Sequence, residues 1–297
     1  MIKDYMMLTK PGIIFGNLIA ASSGLLLAAQ GDVDLYQLFM MSLGTSLVVA
    51  CGCVFNNYID RDIDLKMKRT KNRALAQGRI GVRSALIFAF LCGVAGFSAL
   101  HVATNALAVF FAALGLVVYV GFYSLRYKRS SVHGTLIGSL SGACPPVIGY
   151  VTVTNSFDLG AAILLVTFCF WQIPHSYAIA ICRFEDYKAA NIPVLPVQSG
   201  LKTARVHMFV YIIAFAIAAL LLAERGYTGY VYALSVSLMS LYWLYLVKVG
   251  YHAETSPAVW GRKLFVFSIV MITAFSVLIS FDYVVHSNVA VESVAGL

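Results

Sequence analysis

The hydrophobic pattern along the chain is blocky rather than periodic. Apolar runs long enough to cross a bilayer, about 20 residues each, alternate with short polar breaks. Nine runs can be read: residues 11–29, 38–58, 84–101, 103–123, 134–153, 159–181, 205–223, 230–249 and 264–283. Continuous runs predict helices, because the strands of a membrane barrel alternate apolar and polar side chains over short segments. The third and fourth runs are separated so narrowly, around His101 and Thr104, that they must form an antiparallel hairpin. Pro145 and Pro146 lie inside the fifth run and predict a break there, since proline donates no backbone hydrogen bond. The expected fold class is an all-α polytopic membrane protein with nine transmembrane helices.

Composition agrees with that pattern. Of 297 residues, 60% are hydrophobic and 11% charged, against roughly 25% charged in a soluble domain. With the N-terminus placed inside, every lysine and arginine except Arg225 falls on one side. That asymmetry is what the positive-inside rule expects. It predicts a cytoplasmic N-terminus, cytoplasmic loops after the second, fourth, sixth and eighth runs, and a C-terminus outside. The net charge of +8 is then a property of the cytoplasmic face and gives no reason to expect nucleic acid. Residues 1–10 carry no signal-peptide pattern, so the first span is expected to be retained. The six cysteines fall within or at the ends of runs and read as packing residues.

The stretch with chemistry in it is residues 56–73, NNYIDRDIDLKMKRTKNR, which follows the second run. Asn56, Asp60 and Asp64 are spaced i, i+4, i+8, so on a helix their oxygens share one face. Hard cations such as Mg²⁺ take oxygen ligands, usually a few carboxylates together with substrate phosphates. The basic residues that follow, Lys66, Lys68, Arg69, Lys71 and Arg73, are natural partners for phosphate oxygens. The pattern suggests a metal–diphosphate site; a solvated membrane-edge loop with mixed charge would match it too.

A second acidic cluster, Glu185 and Asp186 between Arg183 and Lys188, follows the sixth run on the same side. Two acidic loops on one face could converge on one centre. Inside the sixth run, Trp171, Gln172, Pro174 and His175 stand together. An ionisable side chain at membrane depth is costly and is a functional candidate, the alternative being a histidine hydrogen-bonded between helices. From His175 to Asp186 is roughly 16 Å if helical throughout, which puts His175 deeper than the charged rim. Tyr123, Arg126, Lys128 and Arg129 close the fourth run.

At these residues the chain resembles the UbiA-type intramembrane prenyltransferases. The family's first acidic motif, N-x-x-x-D-x-x-x-D, stands here as Asn56, Asp60 and Asp64. Four further segments resemble the haem-modifying branch: RTKNR at 69–73, GACPPVIG at 142–149, WQIPH at 171–175, and DYK at 186–188 leading to IPVLP at 192–196. The resemblance runs from about Lys10 to Gly200. It departs at Cys182, where the wider family has an aspartate, and at Ala74, where proline is frequent.

The resemblance implies one domain over residues 1–297, in the bacterial cytoplasmic (inner) membrane, with helices around a central cavity that opens to the cytoplasmic face. It implies Mg²⁺ as cofactor, on Asn56, Asp60, Asp64 and Asp186. It implies that Arg69, Lys71, Arg73, Arg126, Lys128 and Lys188 bind diphosphate, and that His175, Trp171, Gln172 and Tyr123 face the acceptor. The implied reaction joins the farnesyl group of farnesyl diphosphate to a vinyl group of haem B and adds water. A downstream haem-modifying enzyme or a terminal oxidase is the implied protein partner. Two rivals remain open: a sibling enzyme acting on another aromatic or quinone-precursor acceptor, and a transporter built on broken helices.

Overall fold

A computed structural model describes residues 2–250 and 256–285. Among them, nine helices are long and apolar enough to cross a membrane. They are α2 (Pro11–Ala29), α3 (Leu35–Ile59), α5 (Val82–Ala103), α6 with its continuation (Ala106–Ser130), α8 (Gly134–Thr154), α9 (Leu159–Cys182), α12 (Gly200–Glu224), α13 (Tyr230–Val249) and α14 (Pro257–Phe281). Four short helices lie outside the spans, α1 (Ile2–Leu8), α4 (Arg61–Asp64), α10 (Phe184–Ala189) and α11 (Leu195–Gln198), while α7 (Lys128–Ser130) is the last turn of the fourth span. The third and fourth spans form the expected hairpin across Thr104 and Asn105. The C-terminal residues 286–297, expected on the far side of the membrane, lie outside the described residues.

Several spans are longer than the apolar runs alone indicate, because polar ends stay helical where carbonyls must be paired. The fourth does not close at Tyr123. It continues to Ser130 and is π-helical over Val118–Tyr127. The seventh begins at Gly200 and the ninth at Pro257.

The fifth span is not broken. α8 is one continuous helix with Pro145 and Pro146 inside it. It is the most enclosed of the nine spans and packs on α2, α6 and α9. Away from water, no solvent takes up the backbone groups that unwinding would free, so the helix persists through its prolines. Close approach fixes this region: a Cβ on Gly24 would lie 1.9 Å from the Pro146 carbonyl oxygen. One on Gly149 would lie 1.8 Å from that of Ala21. Small residues let α2 and α8 touch backbone to backbone, which is how helices associate where lipid offers no hydrophobic drive.

Candidate functional site

The site is built at the C-terminal end of α3. The helix proper stops at Ile59, and Asp60 sits at φ −86°, ψ 0° before the short helix α4. The hydrogen-bond ladder still runs through the junction: Asp60 N donates to Asn56 O at 2.9 Å and Asp64 N to Asp60 O at 2.8 Å. The expected single face is therefore kept. Asn56, Asp60 and Asp64 are 2%, 1% and 3% exposed. Carboxylates are almost never this buried without partners.

The partners are cations, one per rung and each from a different element. The Lys10 amine, at the N-cap of α2, donates to Asn56 Oδ1. Asn56 Nδ2 donates to Ser124 Oγ at 2.9 Å. The Lys128 amine pairs with Asp60 Oδ2. Arg73 Nη1 reaches both oxygens of Asp64, at 3.0 and 2.8 Å. Arg129 stands 3.8 Å from Asp60 Oδ1 and donates to both oxygens of Asp62 at 2.7 Å. That bond holds the Asp62 carboxyl down at about 2. Burial pushes the Lys10 amine down to about 8. Asp60 Oδ1 is buried and lacks a hydrogen-bond partner. Among the described residues no three His, Cys, Asp or Glu side chains converge on a common point. The oxygens of the ladder face nitrogen cations instead.

The two acidic loops do meet. Lys68 N donates to Asp186 Oδ1 at 2.9 Å. Ile63 and Met67 from one loop pack with Tyr187, Ala190, Ile192 and Val194 from the other. Burial raises the pKa of the Tyr187 phenol, helped by Tyr123 and Asp60 and opposed by the cations Lys128 and Arg69. α10 thus carries Tyr187 to the ladder, while Asp186 clasps the backbone of the first loop. Arg69, Lys71 and Lys188 are exposed around this mouth. Arg126 is exposed too, with its guanidinium 5.8 Å from the Tyr127 ring centroid, and is not brought to the ladder.

Behind the ladder, two side chains lie across the glycine face of α8. A Cβ on Gly138 would come 3.0 Å from the Tyr123 ring, and one on Gly142 2.5 Å from Gln172 Oε1. Tyr123 also stacks on Tyr119, with centroids 6.0 Å apart. The π-helical stretch, with its wider turn, aims Tyr123 and Ser124 this way. Deeper still, Trp171 stacks on His175 at 4.5 Å, and Trp171 Nε1 donates to Ser268 O at 2.8 Å. His175 Nδ1 lies 2.7 Å from Ser268 Oγ. The Ser268 hydroxyl donates its one proton to Phe265 O at 2.6 Å. With that bond kept, His175 Nδ1 is the donor in the contact, and in the neutral ring Nε2 then carries the lone pair. α9 ends at Cys182, so the continuous helix assumed between His175 and Asp186 is interrupted. His175 lies about 10 Å inside the end of α9.

Sequence reasoning missed Lys10, Ser124, Tyr119 and Arg129. Lys10 and Arg129 read only as topology signals. Ser124 and Tyr119 depend on the π-helical turn, for which the local sequence has no marker. The one available signal was Lys10 directly before Pro11, a cation at the mouth of the first span.

A profile of the UbiA prenyltransferase family matches residues 17–269. The chain is 58% identical over 297 residues to a protein of Yersinia pseudotuberculosis named protoheme IX farnesyltransferase, covering 100% of each. It is 60% identical over 283 residues, 95% of each chain, to the protein of the same name from Pectobacterium atrosepticum. Among solved structures it resembles digeranylgeranylglyceryl phosphate synthase, with a TM-score of 0.75 and 18% identity over 94% of this chain and 98% of that one. It also resembles a UbiA homolog from Archaeoglobus fulgidus bound to GPP and Mg²⁺, with a TM-score of 0.68 and 15% identity over 93% of this chain and 99% of that one. At such identities these two show the fold.

Proposed function

The chain belongs to the UbiA prenyltransferase family, and from that premise we propose that it farnesylates protohaem IX. Farnesyl diphosphate is the donor, a vinyl group of haem B the acceptor, and the product, after addition of water, is haem O. The full-length relatives that bear the farnesyltransferase name support the substrate pair. The observation that carries the reading is the buried ladder in which Asn56, Asp60 and Asp64 each meet a cation from a different element.

The ladder fits a divalent cation held together with diphosphate. Asp60 Oδ1 is buried without a hydrogen-bond partner, and Asn56 and Asp64 flank it in the hydrogen-bonded register of a helix. Asn56, Asp60 and Asp64 would hold Mg²⁺, with Asp186 at the mouth as the fourth candidate. When bound, Mg²⁺ would neutralise charge on the departing diphosphate. Lys10, Lys128, Arg73 and Arg129 bind the phosphate oxygens and favour the leaving group as its charge develops. The C1–O bond of the donor breaks, the farnesyl carbon joins the terminal vinyl carbon, and water captures the adjacent cation with loss of a proton. Tyr123, Tyr119 and Tyr187 provide aromatic faces beside the ladder, and ring faces attract cations. His175, through its Nε2 lone pair, with Trp171 and Gln172, orients the macrocycle. Apolar walls keep water out until the new bond has formed.

The lysine and arginine asymmetry supports a cytoplasmic N-terminus and a cytoplasmic mouth in a bacterial inner membrane. Purified protein incubated with haem B, farnesyl diphosphate and Mg²⁺ should yield a more hydrophobic haem on chromatography, whose mass equals the sum of haem, a farnesyl group and a hydroxyl group. Turnover of a quinone precursor in place of haem, or no turnover at all, would overturn the proposal.

A further inference from the structure

The doublet Asn56–Asn57 divides its work between two jobs. Asn56 lies on the ladder. Asn57 is one residue on, about 100° around the helix, and its side chain faces elsewhere. It is 2% exposed. Its Nδ2 donates to Cys53 O at 2.9 Å, one turn back, and to Leu8 O at 2.8 Å. Leu8 is the last residue of α1 and is itself buried, against Val54, Ala74, Leu75 and Ile80.

Two residues after Leu8 comes Lys10, at φ 54° and ψ 70°. Left-handed backbone is uncommon in a residue with a side chain, and a residue before proline is pushed toward extended backbone. Lys10 precedes Pro11. The conformation must therefore be held from outside. α2 holds one side, since Ile13 N and Ile14 N both donate to Lys10 O. α1 holds the other, tied at Leu8 by Asn57, at Asp4 by Arg79 at 3.1 Å, and at Tyr5 by the Phe88 ring at 5.3 Å. The sharp junction turns the Lys10 amine inward to Asn56.

We infer that Asn57 is a positioning residue for the donor: it fixes the α1–α2 junction so that Lys10 reaches the ladder and takes the diphosphate. The inference rests on the functional reading above, in which the ladder binds the diphosphate of an isoprenoid donor. Asn57 touches neither substrate, and its effect passes through Lys10.

A double-mutant cycle tests this with full-length protein in detergent, measuring affinity for a non-hydrolysable farnesyl diphosphate analogue in Mg²⁺ and, separately, for haem B. Misplacing a group that holds substrate can cost up to about a hundredfold. Asn57→Ala should weaken analogue binding by roughly tenfold or more and leave haem binding within about twofold. Asn57→Ser gives a milder variant. Serine can still bond back to Cys53 O, as helical serines do, but is too short for Leu8 O. It should weaken the analogue in the same direction at an unchanged melting temperature. Lys10→Ala should match or exceed Asn57→Ala, and adding Asn57→Ala to Lys10→Ala should change nothing further, because sites that act as one unit are not additive. Additive losses, an equal loss of haem binding, or wild-type analogue affinity in Asn57→Ser would overturn the inference. Wild-type protein that binds no analogue would overturn the functional reading along with it.

Discussion

The two ends of the helix bundle use aspartate in opposite ways. At the end away from the ladder, Asp34 caps α3 and accepts from Tyr36 N and Gln37 N at 2.9 and 3.1 Å. Asp158 caps α9 through Ala161 N at 3.0 Å and also accepts from the Tyr150 hydroxyl. Asp282 accepts from Tyr232 N at the start of α13 at 2.6 Å. Each carboxylate accepts from a backbone N–H in the first turn of a helix, although Asp282 is at the same time the C-cap of α14. At the ladder end, Asp60 is the C-cap of α3, the end where a negative charge opposes the helix dipole. It is also more buried than any of the capping acids. Asp60 is instead buried against the dipole and held by the side-chain cations Lys128 and Arg129.

The sharpest way to break that contrast is to remove acids from each end. Asp60→Ala and Asp64→Ala should each lower kcat by about a thousandfold or more, in line with losing a main electrostatic contact in the transition state. Asn56→Ala should cost less, since a neutral oxygen carries less charge. Chelation of Mg²⁺ should abolish turnover of wild-type protein and re-addition restore it. Steady-state rates on detergent-solubilised variants with matched melting temperatures decide the matter. An aspartate variant with near-normal kcat would show that the ladder is structural.

His175 extends the contrast into the membrane. Its Nδ1 is committed to Ser268 and its ring is stacked on Trp171, and Nε2 is the ring nitrogen that the proposed function assigns to the acceptor. His175→Ala should weaken haem B binding by about tenfold, equivalent to about 1.4 kcal/mol, while the donor analogue binds as before. Asp60→Ala should show the reverse. A haem Soret titration beside analogue binding reads both. An unchanged spectrum and affinity in His175→Ala would return that histidine to a packing role.

Within the basic loop the two arginines should separate. Arg73 is half-buried on Asp64, whereas Arg69 is exposed. A buried charge-assisted bond is worth about 1.5–3 kcal/mol, and an exposed ion pair up to about 1 kcal/mol. Arg73→Ala should therefore raise the farnesyl diphosphate KM roughly tenfold or more and Arg69→Ala only severalfold. Equal effects would mean that loop charge, not placement, binds the donor.

These residues also mark where sequence alone was informative. The spans were legible because apolar length reports directly on a bilayer. The ladder was legible because a four-residue repeat survives the kink at Asp60. Lys10 and Arg129 were hidden because topology explains a basic residue at a span end as well as function does. The continuity of α8 was hidden because Pro145 and Pro146 signal a break, which burial between neighbouring helices overrides. Tyr119 and Ser124 were hidden because their direction depends on π-helical turns.

The smallest effects should come from the capping end, and they complete the contrast. Asp158→Ala removes the bond to Ala161 N and one of the partners of the Tyr150 hydroxyl, which also bonds Tyr227. Losing an N-cap costs about 1 kcal/mol, and the buried Tyr150 hydroxyl loses one of its two partners, which adds a little to the cost. The melting temperature should therefore fall by a few degrees, as expected when about 1–2 kcal/mol is lost from a chain of this size. Asp158 lies at the far end of α9 from His175 and the ladder, so kcat and both binding constants should stay within about twofold at a temperature where the variant is folded. Thermal melts and rates on the same preparation measure both quantities. A variant that melts like wild type but turns over slowly would place chemistry at the capping end and erase the distinction between the two sets of acids.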